Sequence, residues 1–199
     1  IGSSLIGTSV LAADLGVTLE AGYEAATVAP NYGESWAEGF GDGEPAGLAL
    51  NAKWLLPDVK GLYLALDYAS LKDDEGYYED DITVEQKRAA FDVGYQHKLN
   101  NSVNGTAALR ISDYVWEFRW DDTSSDSYEA FEAEESGISL VLGLEKTITE
   151  DFEVGASLFT GFESGGSAYF KFDIVEHIAA KISYTRSSYE LDDFKRVRN

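Results

Sequence analysis

The sequence predicts an all-β fold, an antiparallel up-and-down transmembrane β-barrel of eight to ten strands. Three observations predict it. Segments of about ten residues alternate apolar and polar side chains with a period of two; that is the strand repeat, and its length matches what a tilted strand needs to cross a bilayer. The connections alternate too, short at one end and long, polar and acidic at the other, which is the loop pattern of a membrane barrel. Finally, the polar face mixes glycine with charges of both signs, a composition that suits a narrow interior better than a solvated sheet.

Period-two scoring gives about nine strands. The first, 15–24 (LGVTLEAGYE), sets Val17, Leu19, Ala21 and Tyr23 against Thr18, Glu20 and Gly22. Residues 46–55 (AGLALNAKWL) set Leu48, Leu50 and Trp54 against Asn51 and Lys53, and 62–70 (LYLALDYAS) set Leu64, Leu66 and Tyr68 against Asp67. In 83–98 the apolar side carries Ala89, Phe91, Val93 and Tyr95, and the polar side Arg88, Asp92, Gly94 and Gln96. Segment 103–120 alternates Leu109 and Ile111 with Arg110 and Ser112, and 137–148 (GISLVLGLEKTI) alternates Ile138, Leu140, Leu142 and Leu144 with Gly143 and Glu145. The last three are 152–163 (Val154, Leu158 against Gly155, Gly161), 168–175 (Phe170, Phe172 against Lys171, Asp173) and 178–189 (Ile182, Tyr184 against Lys181, Ser183). Between them 56–61 (LPDVKG), 99–102 (LNNS), 149–151 (TED) and 176–177 (EH) read as short turns. The stretches 25–45, 71–82 and 121–136 read as long acidic loops, and only 164–167 (SGGS) breaks the alternation.

This sorting turns the apolar face toward lipid and the polar face inward. Glu20, Lys53, Asp67, Arg88, Asp92, Arg110, Glu145, Lys171, Asp173 and Lys181 are then lumen-lining charges in near balance, expected to pair because isolated charges in a narrow lumen are costly. Tyr23, Trp54, Tyr68, Tyr95 and Tyr184 sit toward strand ends, as an interfacial aromatic girdle does.

The chain has 199 residues, room for one domain with one barrel or sandwich. It has no cysteine, so disulfides, thiolate zinc sites and thiol chemistry are excluded. A net charge of -21 argues against nucleic acid as a partner. No run of eighteen apolar residues occurs, which excludes a transmembrane helix. Residues 1–13 (IGSSLIGTSVLAA) read as a signal-peptide remnant or a short extra strand, leaving 14–199 as the barrel domain.

On LGVTLEAGYE, on GLALNAKW with its turn and GLYLALDY, and on the alternation continuing to KISY, residues 14–190 resemble the small Gram-negative outer-membrane barrels, OmpA/OmpX-like or YfaZ-type. The resemblance implies an even strand count, a place in the bacterial outer membrane, and lipid and lipopolysaccharide as partners. The chain departs from the pattern by ending in LDDFKRVRN, polar and basic. The tenth strand is then LIGTSVL, or lies past this end, or the barrel has eight.

Catalysis finds no constellation. Enzymes on such barrels resemble one another in placing a catalytic His at the long-loop end, whereas His97 and His177 flank short turns. No catalytic residue, cofactor or metal ligand is therefore assigned. The runs ESWAEGFGDGE (34–44), KDDEGYYEDD (72–81) and DDTSSDSYEAFEAEE (121–135) suit weak divalent-cation contacts, although a solvated acidic surface accounts for them as well. Tyr77, Tyr78, Trp116, Phe118, Trp120, Tyr128 and Phe131 beside them suit girdle or loop packing. The expected function is a structural or surface role, or a narrow porin-like pore. The alternative is a soluble β-sandwich or lipocalin-like small-molecule binder.

Overall fold

The computed structural model describes residues 2–12, 17–27, 45–73, 81–122, 127–175, 178–188 and 195–198. They form eleven strands: β1 Gly2–Ala12, β2 Val17–Thr27, β3 Ala46–Leu55, β4 Leu62–Asp73, β5 Asp81–Lys98, β6 Val103–Asp122, β7 Ser127–Thr149, β8 Phe152–Gly161, β9 Ser164–Val175, β10 Ile178–Ser188 and β11 Lys195–Arg198. β1 to β10 pair antiparallel in chain order, and β10 pairs back onto β1, so the ring closes on itself and leaves no free sheet edge within it. The tenth strand of the ring is β1, which meets β2 from Gly2↔Thr27 to Ala12↔Val17 and β10 from Gly2↔Arg186 to Val10↔Ile178.

Alternation decides the two faces, as a sheet with period two must. Outside lies a continuous apolar belt, with Leu48, Leu66, Leu109, Ile138, Leu144, Leu158 and Ile182 all more than half exposed. Inside, small residues leave room for large ones. Ala26, Ala49, Ala69 and Ala133 pack with Leu71, Tyr114 and Trp116 in the half nearer the long loops, and Ala65, Ala108 and Val141 pack with Tyr63 and Phe159 below them. A soluble lipocalin-like barrel expects the opposite arrangement, apolar within and polar without.

The turns at the short end are tied by local hydrogen bonds. Leu62 N–H donates to Val59 O at 2.9 Å, and Ser102 N–H to the Asn100 side-chain oxygen at 2.9 Å. Gly61 closes the β3–β4 turn at φ 87°, and a Cβ there would meet Gln96 O at 2.4 Å, so no other residue fits without displacing β5.

The structure corrects two loop expectations. Residues 121–136 are not one long loop, because β6 and β7 stay paired from Asp113↔Ser136 up to Asp122↔Ser127. Together with the upper part of β5 they rise past the ring as a ribbon, and β11 adds to its β7 side at Lys195↔Glu132 through Arg198↔Glu129. On this ribbon the outward face carries the exposed Glu132 and Glu134, so its composition imitates that of a loop. Residues 164–167 likewise open β9, where Gly165 and Ser167 pair with Phe159 and Ser157. Glycine suits that spot because a Cβ on Gly165 would lie 2.1 Å from Arg186 O.

Candidate functional site

The inward-facing charges form the candidate site. β2 presents Glu20 and Glu24, β3 Lys53, β4 Asp67, β5 Arg88 and Asp92, β6 Arg110, β7 Glu145, β9 Lys171 and β10 Lys181, each on the face opposite the apolar belt. Arg88 is the hub of the long-loop half. Its Nη1 and Nη2 donate to the two Glu24 carboxylate oxygens at 3.1 Å each, and its Nε donates to Asp67 Oδ1 at 2.9 Å. Glu24 lies on β2 and Arg88 on β5, strands that do not pair, so this fork spans the barrel interior. Beside it Arg110 grips Asp92 through Nε at 2.8 Å and Nη2 at 2.9 Å, while its Nη1 stands 4.0 Å from Glu163.

Glu163 enters from the two-residue β8–β9 connection, folded into the barrel mouth. Its backbone N–H donates to Ser139 Oγ at 2.8 Å, and Phe162 N–H donates to Ile138 O at 3.0 Å. The Phe162 ring then stands over Gly137, where a Cβ would collide with it, and 6.1 Å from the Tyr114 ring. Trp116, Tyr114 and Leu71 beside it are 1–2% exposed, so an aromatic and aliphatic layer covers the arginine pairs from the long-loop side.

The short-turn half is built on lysine. Lys181 Nζ donates to Glu20 Oε2 at 2.6 Å, and Lys53 Nζ meets Glu145 Oε1 at 3.5 Å across the lumen, with Gln96 Nε2 donating to Glu145 Oε2 at 3.0 Å. Each ammonium also sits over a ring, Lys53 on Tyr63 at 4.7 Å and Lys181 on Tyr169 at 4.8 Å. Both tyrosines face a cross-strand glycine, Tyr63↔Gly94 and Tyr169↔Gly155, whose missing side chains make room for the rings. Tyr169 Oη donates to Glu153 Oε1 at 2.8 Å. Lys171 comes only to 4.0 Å of Asp173, which is 47% exposed at the rim.

Of the ten lumen-lining residues expected from the sequence, eight therefore meet in three groups, Arg88 with Asp67, Arg110 with Asp92, and Lys181 and Lys53 with Glu20 and Glu145, while Lys171 and Asp173 stand 4.0 Å apart toward the rim. Sequence reading passed over Glu24, Glu153 and Glu163, so the near balance of five against five gives way to an excess of carboxylates. Glu24 was legible from its parity with Glu20 in β2, whereas Glu163 was not, because a loop residue carries no parity. Trp116, expected in the girdle or the loops, is instead an inward core residue, two positions beyond Tyr114 on the same face.

Tyr23, Tyr184, Tyr95, Tyr68 and Trp54 are 42–58% exposed on the outer face. Trp54 and Tyr95 lie toward the short turns, and Tyr23, Tyr68 and Tyr184 toward the other end, with leucines and isoleucines between. His97 is exposed at the short-turn end of β5, its ring stacked 6.4 Å from that of Tyr95. His177, residues 34–44, and Tyr77 and Tyr78 lie outside the described residues, as do the side chains of Phe118, Trp120, Tyr128 and Phe131. Among the described residues, no group of three or more His, Asp or Glu is placed to hold a metal ion.

Neither a family model nor a curated protein matches the chain. Among solved structures it is similar to Ail, the attachment invasion locus protein of Yersinia pestis, at 12% identity over 98% of this chain and 99% of that chain, with a TM-score of 0.43. Ail in complex with the heparin analogue sucrose octasulfate matches at 11% identity over 98% of this chain and 99% of that one, TM-score 0.41. Neisserial surface protein A matches at 14% identity over 98% of this chain and 94% of that one, TM-score 0.36.

Proposed function

We propose that this chain is a non-enzymatic barrel of the bacterial outer membrane whose lumen is plugged and whose work is done at the surface, by the β5–β6–β7 ribbon and the long-loop end. The apolar belt faces lipid, since a soluble monomer rarely exposes so large a patch. A single observation carries the plug: Arg88 ties β2 to β4 and β5 through Glu24 and Asp67, beneath a layer in which Trp116 and Leu71 are 1% exposed. An open selective pore more often segregates its charges or arranges them in a ring of one sign. Lipid and lipopolysaccharide are the partners this placement implies.

Planar-bilayer conductance of the refolded chain tests the reading. The wild type is expected to be silent, with leak currents appearing in the double variant Arg88→Ala, Arg110→Ala. Steady wild-type channels whose selectivity changes in that variant would replace the plug with a pore.

A further inference from the structure

The apolar belt carries a marked depression. Across β7–β10 it forms a groove of about 650 Å³ on the outer wall. Its floor is Ala156 on β8 with Gly166 and Ala168 on β9, and its walls are Leu142 and Leu144 on β7 and Tyr184 on β10. The registers explain the shape. Leu144, Ala156, Ala168 and Tyr184 follow one another across the four strands, so two small residues lie between two large ones, and Leu142, Leu158 and Gly166 repeat the dip one step toward the long loops.

The next position in that second row is Arg186, the register partner of Gly166. It is exposed, shares the outward parity of Ile182 and Tyr184, and has no ion-pair partner among the described residues. An outward guanidinium two residues before the end of β10, at the long-loop end of a lipid-facing groove, has a definite complement: an anionic group at headgroup level attached to apolar chain below it.

We infer that this groove seats an acyl chain of a phosphorylated outer-leaflet lipid, the lipid A portion of lipopolysaccharide, with its phosphate on Arg186. The assignment rests on the membrane reading above, which puts the long-loop end outside. Two features select this occupant: the groove is continuous with the surface that acyl chains already bathe, and the charge at its upper end is positive in a chain whose net charge is -21.

Native mass spectrometry of the detergent-refolded barrel, incubated with lipid A or with phosphatidylcholine, tests it. The wild type is expected to retain lipid A through detergent dilution. Arg186→Glu should reduce the retained fraction by about five-fold or more, the loss expected for one basic residue at a membrane surface. The double variant Ala156→Leu, Ala168→Leu fills the floor and should abolish retention, while Ala21→Leu, outward and exposed on β2, should leave it unchanged. Wild-type retention by the floor-filled variant, migrating as a folded band, would overturn the inference, and so would displacement of lipid A by phosphatidylcholine mole for mole. A barrel that inserts into vesicles yet keeps no lipid overturns this inference alone. A chain that stays monodisperse without detergent overturns the membrane reading and this inference with it.

Discussion

The two halves of the lumen are neutralised by different chemistry. Toward the long loops the cations are Arg88 and Arg110, each in a two-toothed grip on a carboxylate, with Glu24 and Glu163 only 3% and 5% exposed at the side chain. Toward the short turns they are Lys53 and Lys181, point charges resting on tyrosine rings and each touching one carboxylate oxygen. A guanidinium fork fixes direction as well as charge, whereas an ammonium on a flexible stem fixes neither as well. The half beneath the aromatic cover uses arginine. The other half manages with lysine.

Removing Arg88 is the strongest way to break that contrast. Arg88→Ala strands Glu24 and Asp67 inside, and loss of one partner of a buried pair costs about 3–5 kcal/mol. Urea unfolding in micelles, followed by tryptophan fluorescence, should show a loss of that size, with Arg88→Lys recovering only part of it. Equal stability of Arg88→Lys and wild type would mean that charge alone suffices and that fork geometry adds nothing.

Trp116→Ala comes next. It opens a cavity in the cover, at about 3–5 kcal/mol for a large aromatic, the lower part being expected because the mouth of the barrel is narrow and can relax. It should also produce brief conductance events that Lys53→Ala does not, since Lys53 lies below the cover. Equal leak from both variants would erase the distinction between the halves.

The ring and its inside-out faces were legible because period two survives in every strand of the ring. Leu48, Leu50, Lys53 and Asn51 separate by parity before any contact is known. Parity failed where its physical basis ends. Beyond the ring Glu132 and Glu134 are exposed on the outward side of a strand, so charge no longer distinguishes strand from loop. Glu163 and Phe162 reach the lumen by a turn whose direction depends on Ser139 Oγ and Ile138 O, contacts from a different strand. The pairing of Lys53 with Glu145 was equally hidden, since it crosses the lumen between strands that share no ladder.

Lysine in the lower half predicts a smaller effect. Lys53→Ala should cost about 1 kcal/mol or less, because its 3.5 Å pair with Glu145 is the more exposed one, 26% and 21% at the side chains against 19% and 3% for Arg88 and Glu24, and is screened accordingly. The loss should shrink further in high salt, while that of Arg88→Ala should not. Chemical unfolding at two ionic strengths checks both, and a Lys53→Ala penalty as large and salt-insensitive as that of Arg88→Ala would make the two halves equivalent.

The smallest effect, and one of opposite sign, belongs to the ribbon outside the ring. Glu85, Glu117 and Glu132 are consecutive register partners across β5, β6 and β7, so like charges stand directly opposite one another on the outward face. Glu85 is relieved by Lys87 at 2.7 Å, and Lys72 is its register partner on β4. Glu117 lies between two glutamates. Glu117→Thr removes that repulsion and places a good strand former in the row, so it should stabilise the ribbon by about 0.2–1 kcal/mol. Slower backbone amide exchange across Glu117 and Glu132, with no change in the protection of Arg88 and Arg110, would locate the gain in the ribbon. The gain should vanish in high salt, where the repulsion is already screened. If it persists there, strand propensity and not charge sets the stability of the ribbon, and the acidic row costs the protein little to display.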